Sequence, residues 1–239
     1  MPVYVRDEAQ IYYEEYGEGF PLLLIAPGGM RSAISFWAQT PWNPIDQLAE
    51  SYRVIAMDQR NAGRSTAPVA ATDGWHTYTA DQLGLMDALG IERFHVAGMC
   101  IGGPYCLGLI EAAPARVVTA SLFQTIGRDD NAEAFYAMFD DWAAELMPKR
   151  SADVAAWASF RENMYGGDRV LFNVDERFVR DCSTPLLVLG GNDLYHPASA
   201  SQLVATQAPA AQWIEFWKEG DAREEAMGQF AAFLARYTP

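Results

Sequence analysis

Apolar residues occur along the chain in short unbroken runs, separated by longer stretches in which apolar and polar positions recur at helical spacing. The unbroken runs predict strands buried on both faces, and the stretches between them predict the crossover helices of a mostly parallel sheet. The predicted buried strands are residues 22–25, 53–57, 94–98, 118–123, 186–189 and 212–217, and the predicted helices include 79–89 and 222–236. The pattern therefore predicts an α/β fold with helices on both faces of the sheet.

The N-terminal residues follow a different pattern. Val3 and Val5 alternate with other residues, and the β-prone segment 11–16 follows closely, which predicts an antiparallel pair at the start of the sheet. In a mostly parallel sheet, ligands bind at the carboxyl ends of the strands. Functional residues are therefore expected directly after the predicted buried strands.

The alternation of strands and helices breaks between about residue 124 and residue 180. Aromatic residues and methionines recur there at helical spacing, which predicts a few amphipathic helices inserted before the fifth buried strand. We expect most of these side chains to pack this cap onto the core and some to line an apolar pocket. The chain is thus predicted to be one domain, residues 1–239, with a helical cap at 124–180. The cap residues concerned are Phe135, Tyr136, Met138, Phe139, Trp142, Trp157, Phe160, Met164 and Tyr165.

Composition narrows the classes of partner. Lys and Arg number 17 against 31 for Asp and Glu, which gives a formal net charge of −14 and argues against nucleic acid and anionic membranes. The first residues are acidic where a signal peptide would be apolar, and no apolar run could span a bilayer. We expect a cytoplasmic protein that acts on a small molecule with an apolar or aromatic portion; a homo-oligomer is left open.

The chain has three cysteines, Cys100, Cys106 and Cys182, without CxxC spacing. This number and spacing indicate neither a disulfide framework nor a zinc site. No G-x-G-x-x-G sequence follows the first buried strand, and no cluster of metal-ligating residues is evident. We therefore expect neither a cofactor nor a metal.

One cysteine lies in a distinctive setting. The segment Gly98-Met99-Cys100-Ile101-Gly102 directly follows a predicted buried strand. Glycine two residues on either side of a nucleophile is the spacing of a nucleophile elbow, because the chain turns sharply from strand to helix there and side chains would clash. A buried structural cysteine on a turn gives the same short pattern, so neighbouring motifs must decide.

Three further motifs occur in the order expected around such an elbow. They are Ala26-Pro27-Gly28-Gly29-Met30 after the first buried strand, residues 58–65 with the sequence DQRNAGRS, and Gly190-Gly191-Asn192-Asp193 after the fifth. Together with the elbow, they make the chain resemble the α/β-hydrolase fold family over essentially its whole length. The resemblance implies an oxyanion loop at the first motif and a catalytic acid at Asp193.

The resemblance also implies specific site residues. Cys100 takes the place of the elbow serine, as in the dienelactone hydrolases of the same family. The backbone N–H of Ile101 and a second N–H, from Gly29 or Met30, would form the oxyanion hole. A thiol ionises near pH ~8.5 and is favoured as thiolate at a helix N-terminus, so it needs a weaker base than serine does.

The chain departs from the family where the catalytic histidine is expected, between the last strand and the last helix. Asp221 occupies that position, after Gly220, so a Ser-His-Asp relay cannot be transferred to this chain. Asp193 and Asp221 are expected to share a proton, which would raise the pKa of one and suit it to general acid catalysis.

Three histidines could replace the missing base. His95 lies within a predicted strand and is expected to be structural, while His76 precedes a predicted helix and is expected to be a surface or capping residue. His196 follows Asp193 by three residues, in a loop on the expected active-site face. It could pair with Cys100 or brace the loop.

Three functions remain open from the sequence. The first is hydrolysis of a small apolar ester, lactone or thioester through an acyl-Cys100 intermediate, with a non-standard arrangement of Cys, His and Asp. The second is a lyase or isomerase reaction on the same scaffold that uses Asp193, Asp221 and His196. The third is small-molecule binding by a catalytically decayed member of the family.

Overall fold

The computed structural model describes residues 2–239. In this part of the chain, eight strands and eight α-helices alternate. The strands are β1 (Val3–Arg6), β2 (Ala9–Tyr16), β3 (Phe20–Ile25), β4 (Tyr52–Met57), β5 (Phe94–Met99), β6 (Val117–Phe123), β7 (Leu186–Leu189) and β8 (Ala211–Ile214). The helices are α1 (Ile45–Ala49), α2 (Trp75–Ala88), α3 (Gly102–Ala112), α4 (Ala132–Leu146), α5 (Val154–Tyr165), α6 (Glu176–Asp181), α7 (Ala198–Gln207) and α8 (Gly220–Tyr237).

The strands form one sheet in the order β1-β2-β4-β3-β5-β6-β7-β8. β2 pairs antiparallel with β1 and β4, and the remaining strands are parallel. The predicted α/β fold and the antiparallel pair at its start are confirmed. The carboxyl ends of β3, β5, β6 and β7 consequently lie side by side along one edge of the sheet.

Both faces of the sheet are covered. Leu23 and Ile25 of β3 belong to the core beneath α2, α3 and the segment after β6, whereas Leu22 and Leu24 belong to the core beneath α1 and α8. Because every residue of such a strand is buried on one side or the other, the sequence shows an unbroken apolar run.

The last strand is shorter than predicted. β8 covers Ala211–Ile214 rather than 212–217, and Trp213 and Phe216 are 36% and 75% exposed. β8 is an edge strand that pairs only with β7, so it is less covered than the central strands. The apolar residues after Ile214 therefore belong to the following loop.

Helix α2 begins earlier than predicted. It starts at Trp75, not at residue 79, so His76 lies in its first turn and is exposed. Thr79 is a helical residue that donates from Oγ1 to the carbonyl of Trp75 at 3.2 Å, and it does not cap the helix. The side-chain hydroxyl that bonds the backbone N–H of Gly74, at the start of α2, is that of Thr77.

The segment between β6 and β7 is helical, with α4, a 3₁₀ turn at Met147–Lys149, α5 and α6. Most of the aromatic residues singled out in the sequence are buried there, whereas Tyr136 and Met138 are partly buried. Met138 of α4 reaches the loop after β3: a Cβ added to Gly29 would lie 2.4 Å from its sulfur. The segment thus packs onto the loop that follows β3.

Helices capable of crossing a membrane were also sought. Among residues 2–239, no helix is both long enough and apolar enough to span a bilayer.

Candidate active site

Cys100 lies at the turn between β5 and α3. Its backbone φ is +62°, a left-handed conformation that costs free energy for any residue with a side chain. The carbonyl of Cys100 accepts hydrogen bonds from the N–H groups of Gly103 at 3.0 Å and Ile126 at 3.2 Å, which hold this turn. A Cβ on Gly98 would lie 2.4 Å from the carbonyl oxygen of Gly102. The strand, turn and helix required for the predicted elbow are therefore present.

The loop after β3 approaches the same cysteine. Gly28 and Gly29 have φ values of +117° and +58°, which favour glycine at both positions. The backbone N–H groups of Gly28 and Ile101 lie near the thiol of Cys100 and help to lower its pKa. The expected oxyanion donors, Ile101 together with Gly29 or Met30, lie on these same two segments and remain a prediction.

The structure gives Gly29 and Met30 other contacts. Gly29 lies against Met138, as described above. Met30 is 1% exposed, and its sulfur accepts a hydrogen bond from the hydroxyl of Tyr165 at 3.4 Å. These contacts connect the loop after β3 to the helical segment between β6 and β7.

Asp193 lies in the loop that follows β7. Its Oδ1 accepts hydrogen bonds from the backbone N–H groups of Tyr195 and His196, both at 3.1 Å, and from Nδ1 of His196 at 2.7 Å. Its Oδ2 is 3.8 Å from Nζ of Lys218. These contacts fix both the loop and the imidazole of His196.

The second ring nitrogen of His196, Nε2, is available to accept or donate a proton. Nε2 is buried and has no hydrogen-bond partner of normal geometry among residues 2–239, and the Cys100 thiol is the polar group beside it. Because Nδ1 bonds a carboxylate, it carries the proton in the neutral ring and Nε2 is the acceptor. The structure thus brings Cys100, His196 and Asp193 together in a row.

The charges of this row favour ionisation. Burial alone would raise the pKa of Cys100, but His196 and the N–H groups of Gly28 and Ile101 outweigh it and lower that pKa. Burial alone would lower the pKa of His196, but Cys100 and Asp193 outweigh it and raise that pKa. Opposite shifts in the two partners are those of a thiolate and an imidazolium that stabilise each other.

Asp193 does not share a proton as predicted. Burial would raise its pKa, but the charge of His196, the hydrogen bonds from that residue and the charge of Lys218 outweigh burial and lower it. A lowered pKa means that Asp193 is a carboxylate near neutral pH. It therefore fits an orienting partner of His196, not a general acid.

Asp221 is the predicted site residue that the structure does not bring to Cys100. It lies in the first turn of α8, is exposed, and makes no side-chain hydrogen bond or ion pair with any of residues 2–239. The pairing expected between Asp193 and Asp221 is thus wrong. A carboxylate in the first turn of a helix is stabilised by the helix dipole, which is sufficient reason for its presence.

Two residues near the site were missed in the sequence. Lys218 donates to Oδ1 of Asn192 at 2.7 Å and lies beside Asp193. Gln124 follows β6 with a left-handed φ of +42°, and its buried Oε1 has no hydrogen-bond partner among the described residues. No motif marks either residue, although each follows a strand on the expected edge of the sheet.

The other histidines lie elsewhere. His95 is buried in β5 and bonds the hydroxyls of Thr119 and Thr238, as a structural residue would. His76 is an exposed residue of α2. Within residues 2–239, no group of three His, Cys, Asp or Glu side chains is arranged to hold a metal ion.

Most of the chain matches the model of a known protein family. Residues 21–232 match the model of the alpha/beta hydrolase fold family. The chain belongs to this family.

Several of the curated relatives are named as hydrolases, and one is named as the dihydrolipoyllysine-residue acetyltransferase component of the acetoin cleaving system of Cupriavidus necator. A candidate carbamate hydrolase, RutD of Azorhizobium caulinodans, is 35% identical over 133 residues, which cover 54% of this chain and 46% of that protein. The 2-hydroxymuconate semialdehyde hydrolase of a Pseudomonas strain is 34% identical over 112 residues, covering 46% of this chain and 38% of that protein. The chain thus aligns with less than half the length of either of these two hydrolases.

Solved structures show the same fold over the whole chain. The enol-lactonase of Burkholderia xenovorans superposes with a TM-score of 0.72 at 21% identity, covering 98% of this chain and 100% of that one. At this level of identity, the likeness concerns the fold.

Proposed function

We propose that the protein is a hydrolase that cleaves a small ester, lactone or thioester through a covalent acyl-Cys100 intermediate. The observation that carries this proposal is the row formed by Asp193, Nδ1 and Nε2 of His196, and the Cys100 thiol. A nucleophile, a base beside it and a third group that orients the base are the parts that nucleophilic catalysis requires.

Acylation begins with the Cys100 thiolate and the His196 imidazolium. The sulfur attacks the carbonyl carbon of the substrate, and the carbonyl π electrons move onto oxygen to give a tetrahedral oxyanion. We propose that the N–H of Ile101 and an N–H of the loop Gly28-Gly29-Met30 donate to that oxygen, since the N–H groups of Gly28 and Ile101 already lie near the sulfur. When the oxyanion collapses, the bond to the leaving alkoxide or thiolate breaks, and Nε2 of His196 protonates the leaving group.

Deacylation uses the same residues in the reverse order. Neutral His196 takes a proton from water, and the resulting hydroxide attacks the thioester carbon. Collapse of the second tetrahedral intermediate releases the carboxylic acid product and restores the Cys100 thiolate with His196 protonated. Asp193 stays ionised throughout and stabilises the imidazolium.

The relatives support hydrolysis as the reaction class. Two of those described above are named as hydrolases, and the structural neighbour is named as an enol-lactonase. The cap supports a substrate with an apolar portion, since Met138 and Tyr165 contact the loop that carries Gly28. We infer a small-molecule substrate with no role for nucleic acid or membrane.

The other two functions have less support. A lyase or isomerase that uses a proton shared by Asp193 and Asp221 is not favoured, because the pKa of Asp193 is lowered and Asp221 is exposed. A decayed binding protein would have no need for a thiol and an imidazole whose pKa values shift toward an ion pair. Hydrolysis uses all of these features.

Intact-mass spectrometry after brief exposure to a panel of activated esters and thioesters tests the proposal. The wild-type protein should gain one acyl group and lose it with time, whereas Cys100→Ala should gain none. Cys182→Ala is the matched control and should behave like the wild type, because Cys182 is buried and takes no part in the proposed row. Turnover by Cys100→Ala at the wild-type rate would contradict the covalent mechanism.

A further inference from the structure

Two buried tyrosines lie behind the elbow. Tyr105 belongs to α3, the helix that begins two residues after Cys100, and Tyr78 belongs to the adjacent α2. Their ring centroids are 5.1 Å apart, and they are 1% and 0% exposed. We call these two residues the tyrosine pair.

The hydroxyls of the tyrosine pair are unpartnered. Neither Oη atom has a hydrogen-bond partner of normal geometry among residues 2–239. Even a hydrogen bond between the two hydroxyls would use only one of their two protons. Buried polar groups without partners are rare, because desolvating them costs free energy that no contact returns. At least one donor is therefore available to something that the protein alone does not supply.

The hydroxyls of two other tyrosines do have hydrogen-bond partners. The hydroxyl of Tyr165 donates to the sulfur of Met30, and that of Tyr52 lies 3.4 Å from Oγ1 of Thr238. Among the tyrosines of residues 2–239, the buried hydroxyls without a partner are those of the pair next to the elbow.

Aromatic contacts connect the tyrosine pair with the proposed active site. Trp75 lies 5.2 Å from Tyr105 and 6.1 Å from Tyr165, between ring centroids. The contacts continue through Phe135, which is 5.2 Å from Tyr165 and 5.5 Å from Tyr195. Tyr195 directly precedes His196. A continuous series of ring contacts therefore extends from the pair to the loop of the proposed base, and the charge of Cys100 acts on Tyr105.

Among residues 2–239, the cation that acts on Tyr78 is already in an ion pair. The charged groups that act on Tyr78 are Arg60, Asp73 and Asp81; Arg60 forms a buried ion pair with Asp81 at 2.8 Å, and Asp81 also bonds Arg6. Because Arg60 is held by Asp81 and Asp73 adds a further negative charge, the tyrosine pair offers neutral donors and no free positive charge. Such a setting accepts a neutral oxygen and disfavours a carboxylate, whose desolvation nothing there would offset.

We propose that the tyrosine pair binds a neutral oxygen acceptor, such as a ketone, amide or ether oxygen, on the acyl part of the substrate. This inference rests on the proposed function, because it takes the acyl group to be attached to Cys100. A site with buried donors discriminates strongly against an analogue that lacks the acceptor, since the donors then stay unpaired. The pair would therefore determine which acyl groups are processed fast.

The test compares p-nitrophenyl hexanoate with esters that carry a ketone at successive positions of the same chain, and with the p-nitrophenyl monoester of adipic acid, which ends in a carboxylate. At one ketone position, kcat/KM for the wild type should exceed that for the plain ester by about tenfold or more. Tyr105→Phe and Tyr78→Phe should each lose this advantage, measured as the ratio of kcat/KM for the ketone ester to kcat/KM for the plain ester.

Tyr52→Phe is the matched control, because its hydroxyl is partnered and lies beside Thr238. It should leave the preference for the ketone ester unchanged. The Phe variants of the pair should melt no lower than the wild type, since they remove hydroxyls that have no partner; a purely structural role for these hydroxyls predicts lower melting temperatures and an unchanged preference.

Two negative results are distinguishable. If the plain ester acylates Cys100 but no ketone position is favoured, if the preference survives in both Phe variants, or if the adipate ester is the one favoured through the pair, this inference is wrong and the proposed function stands. If no ester acylates Cys100, the proposed function fails, and this inference fails with it.

Discussion

His95 and His196 are both shielded from solvent, yet their surroundings give them opposite properties. His95 lies in β5 beneath the rings of Phe20 and Tyr52, with centroids 5.0 Å and 5.9 Å away. Its two nitrogens are 2.8 Å and 3.1 Å from threonine hydroxyls. Its hydrogen-bond partners are neutral, and burial, together with the charge of Arg93, lowers the pKa of His95 to about 4.

His196 is flanked by groups that carry charge. Asp193 bonds one ring nitrogen and the Cys100 thiol lies beside the other, and together they raise the pKa of His196 in spite of its burial. The comparison shows that the charge of the partners, and not burial alone, decides whether a buried histidine stays neutral or becomes a proton carrier. His95 is a structural residue of the sheet, whereas the raised pKa of His196 suits it to proton transfer.

The largest expected effect comes from removing the imidazole at the site. His196→Gln should lower kcat/KM for an activated ester by about 100- to 10,000-fold, the usual contribution of a general base. Steady-state hydrolysis measures this loss. His95→Asn is the matched control and should keep kcat/KM close to the wild-type value in the folded fraction. Equal losses in the two variants would remove the distinction between the two regions.

A smaller loss is expected when the orienting carboxylate is neutralised. Asp193→Asn places an amide beside Nδ1 of His196, which favours the wrong tautomer. Serine triads lose about 10,000-fold from such a change, and we expect about 100-fold here because a thiol ionises more easily than an alcohol. Asp221→Asn should stay within about twofold of the wild type, since this exposed residue touches no group of the row. A larger loss of kcat/KM in Asp221→Asn than in Asp193→Asn would contradict this account and would support a catalytic pairing of Asp193 with Asp221.

The third prediction concerns stability. Between about pH 4 and 6.5 the unfolded chain protonates His95 while the folded protein does not. The unfolded state therefore binds more protons there, and the free energy of unfolding falls as the pH drops through this window, by up to about 3 kcal/mol from His95. Urea titrations should show the stability difference between wild type and His95→Asn shrinking as pH falls. A difference independent of pH would contradict the neutral assignment.

Much of the fold could be predicted, because parallel strands buried on both faces appear in the sequence as unbroken apolar runs. The predicted bounds of β8 and α2 were wrong, because tertiary contacts that the local sequence pattern does not show determine them. β8 is an edge strand, so the apolar residues Phe216 and Trp217 that follow it lie in a loop. Helix α2 begins at Trp75 because its first turn is stabilised by contacts of the Trp75 indole, such as the hydrogen bond to the carbonyl of Met164, that no periodicity shows.

The candidate site was predictable to the extent that it depends on strand ends. Cys100, Asp193 and His196 each follow a buried strand closely, and the structure brings them together. Asp221 was assigned by its place in the chain, but the side chain that reaches the acid from that loop is Lys218. The approach of the Gly28 N–H to the thiol depends on backbone dihedral angles, and the free hydroxyls of the tyrosine pair depend on partners from several elements, so neither could be predicted from the sequence.

The most direct test of the account is the rate at which iodoacetamide alkylates Cys100 as a function of pH, in the wild type and in His196→Gln, with Cys100→Ala to subtract other thiols. The account predicts that the wild-type midpoint lies well below the usual pKa of a thiol and rises in His196→Gln, because the variant lacks the cation that lowers the pKa of Cys100. The same midpoint in both proteins, or a wild-type midpoint at the usual thiol value, would contradict it.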